Sequence, residues 1–584
     1  MLVYRFAIAT AVATYLLILI GGLVHGTGSS LACPDWPTCY GTMMPRMEGG
    51  VLVEHSHRLA AGTVVILTLA LAVMLTRSAT PEQRRLRPFG WLAVALVFAQ
   101  ALLGGITVLL RLPTPISTAH TATSLLFFLT VLYIAARARP ASAVAPSPAP
   151  LTGRATVVAI LSAVSVYFQM VIGALVRHSG AALACTDLPL CRGSVWPDAH
   201  PTVLIQALHR LNALVAGGLV VASAVMTWRA ARGRRDLRAL AVTGPLLVVV
   251  QIALGVRAIQ TFLDLATVEA HLAVATALLA TQVLVVLRGR PNAVPQPWRL
   301  AWIADVVRLA KPRITGMVIV TFLGGLWLAP GAIEHWRVIM TLVGTVLLVA
   351  GANTFNMIME RDVDPLMERT RDRPLPRGAV SPELALVFAA ALACAALPLL
   401  FLGGNALTGI LGGIALGSYV GVYTPMKRRS GAALFVGAIP GAIPPLMGWT
   451  AVTGRIDAPG LVLFAVLFLW QIPHFLAIAI YRAGDYAAAG FKVLPAAISE
   501  RATRLTIVGF SVILVAATIL LEPLRVAGLR YMLAATLLGA VLIGWAVAGF
   551  RREAAGAWAR SLFLFSIVYL TLLFVALAID RTVA

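Results

Sequence analysis

The stretch Gly22-LVHGTGSSLACPDWPTCYG-Thr42 returns 152 positions later as Ala174-LVRHSGAALACTDLPLCRG-Ser194. Cys33 falls in register with Cys185, and Cys39 with Cys191. The register continues downstream. His57 and His209 are also 152 apart, and each precedes Arg-Leu. His120 and His271 are 151 apart, as are the pairs Gln100/Gln251 and Gly104/Gly255. A fixed period of this length means two copies of one structural unit, here repeats 1–140 and 151–290.

Between these landmarks the chain is apolar. It has 584 residues, 60% of them hydrophobic and 12% charged, with a mean hydropathy of +0.90. A soluble domain carries about 25% charged residues, and disorder requires low hydrophobicity, so both are excluded. A membrane β-barrel would alternate polar and apolar residues, which this chain does not do. The expected fold is an all-α polytopic membrane protein of about 17 transmembrane helices. Eight spans precede residue 290, near 7–25, 53–76, 89–110, 117–136, 155–176, 203–227, 240–262 and 267–288. Nine follow residue 312, near 313–329, 337–357, 382–402, 407–424, 432–450, 459–481, 505–521, 530–549 and 560–580. The first run, Phe6–Val24, is long enough to span and lacks a small-x-small cleavage site, so no cleaved signal peptide is expected.

The net charge of +23 reads as basic loops on one membrane face rather than as a nucleic-acid surface. With the N-terminus inside, 34 of the 46 basic residues fall in or beside inner segments and 10 on the outer side. Arg58 and Arg210 are the two within spans. The positive-inside rule therefore places the N-terminus in the cytoplasm and, after an odd number of spans, the C-terminus outside a bacterial inner membrane. The expected units are 1–290, a proline-rich cytoplasmic linker at 291–312, and 313–584; alternating Ala and Pro over 140–150 marks a second linker.

Cys33/Cys39 and Cys185/Cys191 share the spacing Cys-x5-Cys in outer loops, which points to two disulfides. They serve either as structural staples or as redox pairs for a thiol carrier. Cys394, in a later span, reads as packing. His57, His120, His209 and His271 lie on the second and fourth spans of each half. Ionisable groups within a membrane default to a functional reading. Two imidazoles on facing helices of a four-helix bundle make a bis-histidine haem site. Arg58 and Arg210 follow two of these ligands, placed either to meet haem propionates or to snorkel. The halves differ three residues before the first histidine, where Glu54 stands opposite Gln206. Glu54 lies one turn from His57 on the same face, suited to moving protons or stabilising positive charge, which Gln206 is not. The asymmetry assigns chemistry to the first half and electron passage to the second.

The run 26–39 with Glu54-x-x-His57-Arg58 and the duplicated histidines resembles haem A synthase, over essentially all of 1–290. The resemblance implies oxidation of a haem methyl to a formyl group. It implies haem O as substrate between His57 and His120, and haem b as cofactor between His209 and His271. His25 departs from the pattern, which has Arg there as at Arg177. It reads either as a substitute donor or as a loop-end residue.

In the second unit, Asn353-TFNMIMERDVDPLMERTRDRPLPRG-Ala379 is expected on the cytoplasmic face. Asn356, Glu360 and Asp364 at i, i+4 and i+8 would share one helical face, suited to Mg²⁺ with a diphosphate. Asp362 lies off that stripe. Glu360, Asp362, Asp364 and Glu368 are crowded together in a chain with only 23 acids. Arg369, Arg373 and Arg377 also share a face if helical, and Arg matches phosphate oxygens. Tyr423-Thr-Pro-Met-Lys427-Arg428-Arg429 adds cations. Trp470-Gln-Ile-Pro-His474-Phe leads to Arg482, Asp485-Tyr486 and Lys492, where Asp485 offers a facing carboxylate. Such a clamp polarises an allylic C–O bond until it ionises.

These motifs resemble UbiA-type intramembrane prenyltransferases, most closely the protohaem IX farnesyltransferase (haem O synthase) branch, over about 300–584. Glu360 stands where Asp is usual, and Asp485-x-x-x-Ala489 lacks a second Asp. His474 either contacts the porphyrin or marks a kink after Pro473. The resemblance implies a nine-helix bundle that farnesylates haem b with farnesyl diphosphate to give haem O, feeding haem O to the first unit. Expected partners are these substrates, the lipid bilayer, quinone or thiol-redox carriers and terminal oxidase assembly factors, with no nucleic acid. The rival reading is a di-haem cytochrome b-like quinol module fused to a quinone-type prenyltransferase.

Overall fold

A computed structural model describes residues 1–139, 151, 153–195, 200–290, 300–551 and 555–583. Both expected linkers lie largely outside them, at 140–150 and 291–299. The chain divides into two compact units, Met1–Arg299 and Leu300–Ala584.

The first unit holds α1 (Leu2–Gly26), α2 (Gly49–Arg77), α3 (Arg87–Leu109) and α4 (Thr114–Arg137), then α5 (Arg154–His178), α6 (Pro201–Ala230), α7 (Arg235–Gln260) and α8 (Leu265–Gly289). At about 1.5 Å per residue, helices of 23–30 residues cross the roughly 30 Å hydrocarbon layer. They are helical because lipid offers no partner for a bare peptide group. Each half closes a ring: α1 packs on α2 and α4, and α3 on α2 and α4; α5 packs on α6 and α8, and α7 on α6 and α8. The halves meet along α4–α5 and α1–α8. The expected tandem four-helix bundles are therefore present.

The second unit begins with a short helix α9 (Leu300–Leu309), inside the stretch expected as linker. It continues with α10 (Pro312–Leu328), α11 (His335–Glu360), α12 (Pro382–Gly403), α13 (Ala406–Gly417), α14 (Ala433–Thr453), α15 (Ala458–Tyr481), α16 (Glu500–Ile519), α17 (Leu529–Ala548) and α18 (Ala555–Val583). Side chains cap several starts: Asn405 accepts from Thr408 N at 2.9 Å, and Ser499 from Ala502 N at 3.2 Å. Sixteen helices among the described residues are long and apolar enough to cross a membrane, α13 with its continuation to Met426. The 17 residues of α10 rise only about 25 Å.

α14 carries Pro440, Pro444 and Pro445 and is the most enclosed span. Its crossing with α10 is set by glycine. A Cβ on Gly325 would overlap the Pro445 carbonyl, and one on Gly448 the Phe322 carbonyl. Small residues let membrane helices approach backbone to backbone, and backbone cannot rotate away as a side chain can. Gly448→Leu should therefore lower the unfolding temperature of the detergent-solubilised chain, since overpacking costs about 1–3 kcal/mol or more. Gly316→Leu, where nothing lies within 4 Å, should leave it unchanged; equal effects would refute the glycine crossing.

Candidate functional sites

In the first unit the α1–α2 loop forms a small roof, repeated between α5 and α6. Cys33 is bonded to Cys39 and Cys185 to Cys191. Within each loop one aspartate gathers the turn. Asp35 accepts from Thr38 Oγ1 and Tyr40 N at 2.6 Å and from Gly41 N at 2.8 Å. These donors, Thr38 foremost, hold its carboxyl down at about 2. Asp187 accepts from Arg192 N and Gly193 N at 2.8 and 2.9 Å.

The two arginines after the histidines are engaged with these loops. Arg58 donates to the carbonyls of Asp35 and Cys33 at 2.8 and 3.1 Å, and Arg210 to those of Asp187 and Cys185, both at 2.6 Å. Both guanidinium groups therefore reach the outer loops. A five-donor guanidinium can satisfy several loop carbonyls at once. Glu54, only 3% exposed, accepts from Cys33 N at 2.7 Å and pairs with Arg58 at 2.6 Å. Its carboxylate thus fastens the first roof to α2. Gln206 Oε1 is buried with no partner among the described residues.

The four histidines share one local device. An added Cβ on Gly21, Gly104, Gly173 or Gly255 would stand 3.2, 3.0, 3.2 and 3.2 Å from Cε1 of His57, His120, His209 and His271. Each imidazole therefore lies over a helix with no side chain in its way. The Nδ1 atoms of His57, His120 and His271 are buried without a partner among the described residues. Four imidazoles over cleared helix faces, two per bundle, fit haem ligation, with Gln100 beside His120 and Gln169 beside His209. His25 lies against His178, ring centroids 5.0 Å apart, at the seam between halves.

In the second unit the cluster at the end of α11 is not one helical stripe. α11 stops at Glu360, and Asp364 falls on a 3-10 turn, Asp364–Leu366. Pro365 has no N–H to continue an α-helix. Arg369, Arg373 and Arg377 follow in turns rather than on a helix. The turns nonetheless fold back. Arg373 Nη1 donates to both oxygens of Asp364, at 2.8 and 2.9 Å, and Thr370 Oγ1 to the Asp364 carbonyl at 2.7 Å. Burial pushes the Asp364 carboxyl up, against Arg373. Lys427 Nζ meets Glu360 at 2.7 Å and sits 4.5 Å from the Tyr423 ring centroid. Asn356 donates to Thr424 Oγ1 at 3.3 Å. Asp362 turns outward to Arg428. Arg377 pairs with Asp305 of α9 at 2.6 Å.

Within this cluster Lys311 is the residue that the sequence reading missed. Its Nζ donates to Asn356 Oδ1 at 2.6 Å, and its charge is felt at both Glu360 and Asp364. Burial lowers its ammonium to about 7. A signal existed: the chain has three lysines, Lys311, Lys427 and Lys492, against 43 arginines, all three in the second unit. The third adjoins the second, Lys492 N donating to the Lys427 carbonyl at 3.0 Å. Asp485 lies 3.8 Å from Arg482, and its Oδ2 is buried without a hydrogen-bond partner among the described residues. The side-chain oxygens of Asn356, Glu360 and Asp364, held here by Lys311, Lys427 and Arg373, are a donor set that fits a hard divalent cation. His474 has other company: Ser566 Oγ at 2.7 Å from Nδ1, Trp470 and Phe563.

Residues 4–283 match the cytochrome oxidase assembly protein family, and residues 317–568 the UbiA prenyltransferase family. A Thermus thermophilus protein named protoheme IX farnesyltransferase is 32% identical over 97% of this chain and 96% of its own length. Its namesake from Anaeromyxobacter dehalogenans is 49% identical over 51% of this chain and all of its own. A UbiA homologue from Archaeoglobus fulgidus, solved bound to GPP and Mg²⁺, is 15% identical with a TM-score of 0.35, covering 47% of this chain and 99% of that one. The chain is thus a multi-pass membrane enzyme that joins a haem A synthase-type unit to a UbiA-type prenyltransferase unit. It belongs to the protohaem IX farnesyltransferase family.

The roofs give a test. Arg58→Leu strands Glu54 as a buried unpaired carboxylate, at a cost of about 3–5 kcal/mol. Arg210→Leu faces neutral Gln206 and should cost less. Thermal unfolding and the rate of Cys33–Cys39 reduction by dithiothreitol read this out. A larger loss from Arg210→Leu would contradict the pairing.

Proposed function

We propose that the second unit transfers the farnesyl group of farnesyl diphosphate to haem b, and that the first unit oxidises the haem O methyl group to the formyl of haem A. For the second unit the carrying observation is the convergence of Asn356, Glu360 and Asp364 with Lys311, Arg373 and Lys427. The oxygens would hold Mg²⁺, which would supply charge neutralisation to the diphosphate. Lys311, Lys427 and Arg373, now paired to those oxygens, would turn to the phosphate oxygens. As the allylic C–O bond breaks, its electron pair leaves with the diphosphate; the farnesyl cation forms a C–C bond to a carbon–carbon double bond of the porphyrin periphery, and water quenches the positive charge left there and gives up a proton. Arg369, near Tyr486, and Asp485 would close the far side.

For the first unit the carrying observation is the four imidazoles over cleared glycines. Haem b between His209 and His271 would supply electron transfer. Haem O would bind between His57 and His120 under the Glu54 roof. The orientation that places the N-terminus inside and the C-terminus outside, and quinone or thiol-redox carriers as electron partners, belong to the same reading.

Asp364→Asn should abolish haem O formation in membranes, read by pigment chromatography, because the metal loses a charged ligand; normal haem O would remove the assignment. Glu54→Gln should stop haem A while haem O accumulates and the second-half haem b spectrum persists. Normal haem A from that variant would refute the role of the carboxylate.

Lys311 sets a pH dependence. Below about pH 7 it is already protonated in the free site, so anion binding takes up no proton there. Above pH 7 a bound diphosphate must draw a proton onto it, and affinity falls by up to about tenfold per pH unit until the bound-state pKa is passed. Titration with inorganic pyrophosphate and Mg²⁺ should show this slope, and Lys311→Met should flatten it. An unchanged slope in Lys311→Met would show that another group takes the proton.

A further inference from the structure

The two halves of the first unit differ not only at Glu54 and Gln206 but behind the first histidine of each pair. In the second half Gln169, on α5, reaches His209 on α6. Its Nε2 lies 3.1 Å from His209 Nδ1 and 3.4 Å from His209 Nε2, and donates to the His209 carbonyl at 3.1 Å. Asn212, one turn further along α6, donates from Nδ2 to Gln169 Oε1 at 2.8 Å. The two carboxamides form a braced pair that holds the ring and main chain of His209 together.

The repeat register of 152 assigns the matching positions in the first half. Gln169 corresponds to Leu17 on α1, and Asn212 to Ala60 on α2. Neither side chain has a polar atom, and His57 Nδ1 is buried with no partner among the described residues. The fourth-helix histidines do not show this difference, since Gln100 and Gln251 stand at matched positions in the repeats that carry His120 and His271. The asymmetry is therefore confined to His57 and His209.

Partners behind a ligating histidine fix its orientation and raise its basicity, and their loss costs about 10–100-fold in metal affinity. A carboxamide suits both states of the ring. When Nε2 gives its lone pair to a metal, Nδ1 carries the proton, and the same amide turned about its last bond presents an oxygen acceptor. We infer that the Gln169–Asn212 pair makes the second-half pocket a resident haem site, and that Leu17 and Ala60 leave His57 unbraced so that the first-half pocket exchanges its haem. This rests on the bis-histidine reading above, and it supplies what that reading needs: one pocket that keeps a cofactor and one that releases a product. Gln169 and Asn212 are positioning residues, since they act through His209.

The test uses the full chain in detergent, loaded with haem b, with loss followed by transfer to apomyoglobin. A His57→Ala background leaves the second pocket to be read, and a His209→Ala background the first. Gln169→Leu and, separately, Asn212→Ala should speed loss from the second pocket about 10–100-fold and broaden its low-spin electron paramagnetic resonance signal. Leu17→Gln with Ala60→Asn should slow loss from the first pocket. A merely structural amide contact between α5 and α6 predicts no such gain in the first half. Unchanged rates in both halves would overturn the inference while leaving the haem sites standing. If the His57→Ala chain binds no low-spin haem at all, the bis-histidine reading itself falls.

Discussion

The buried ionisable side chains are governed by the cost of leaving a charge or a polar group unpaired where water is excluded. That cost makes the membrane-spanning backbone helical. It also explains where the acids and bases stand. Glu54 is buried because Arg58 meets it. Asp364 is buried because Arg373 meets it with two hydrogen bonds. Glu360 and Lys427 neutralise one another at the end of α11, and Arg177 and Glu269 do so at the seam of the two halves, at 3.1 Å.

The repeat shows which parts of one bundle are kept and which vary. The elements common to both halves are structural: a disulfide roof, an aspartate that ties it, an arginine that fills its carbonyls, and a glycine under each imidazole. Among the elements that differ are those around the first histidine of each pair. Glu54 faces Gln206, and Leu17 and Ala60 face Gln169 and Asn212. Duplication preserved the container while the lining diverged.

The second unit relies on close backbone approach instead. Gly325 and Gly448 let α10 meet α14, and Lys311 stands at the head of α10, in a left-handed conformation just before Pro312. The short helix therefore presents its one lysine to Asn356 at the base of the acidic turn. Packing at the glycine crossing and charge placement at Lys311 are two ends of the same element.

The class, the repeat, the paired cysteines, the four histidines and the acidic turn were legible in the amino-acid order, because period, hydropathy and charge spacing are one-dimensional properties. The reading of Asn356, Glu360 and Asp364 as one helical face failed at Pro365, where a local backbone rule outweighs side-chain spacing. The bonding of Arg58 and Arg210 to the loop carbonyls was not legible, since it depends on how a turn aims its oxygens. Lys311 and Gln169 were missed for a common reason. Their partners, Asn356 and His209, are 45 and 40 residues away, and only the packing of one helix on another decides which polar groups must satisfy each other in a place without water.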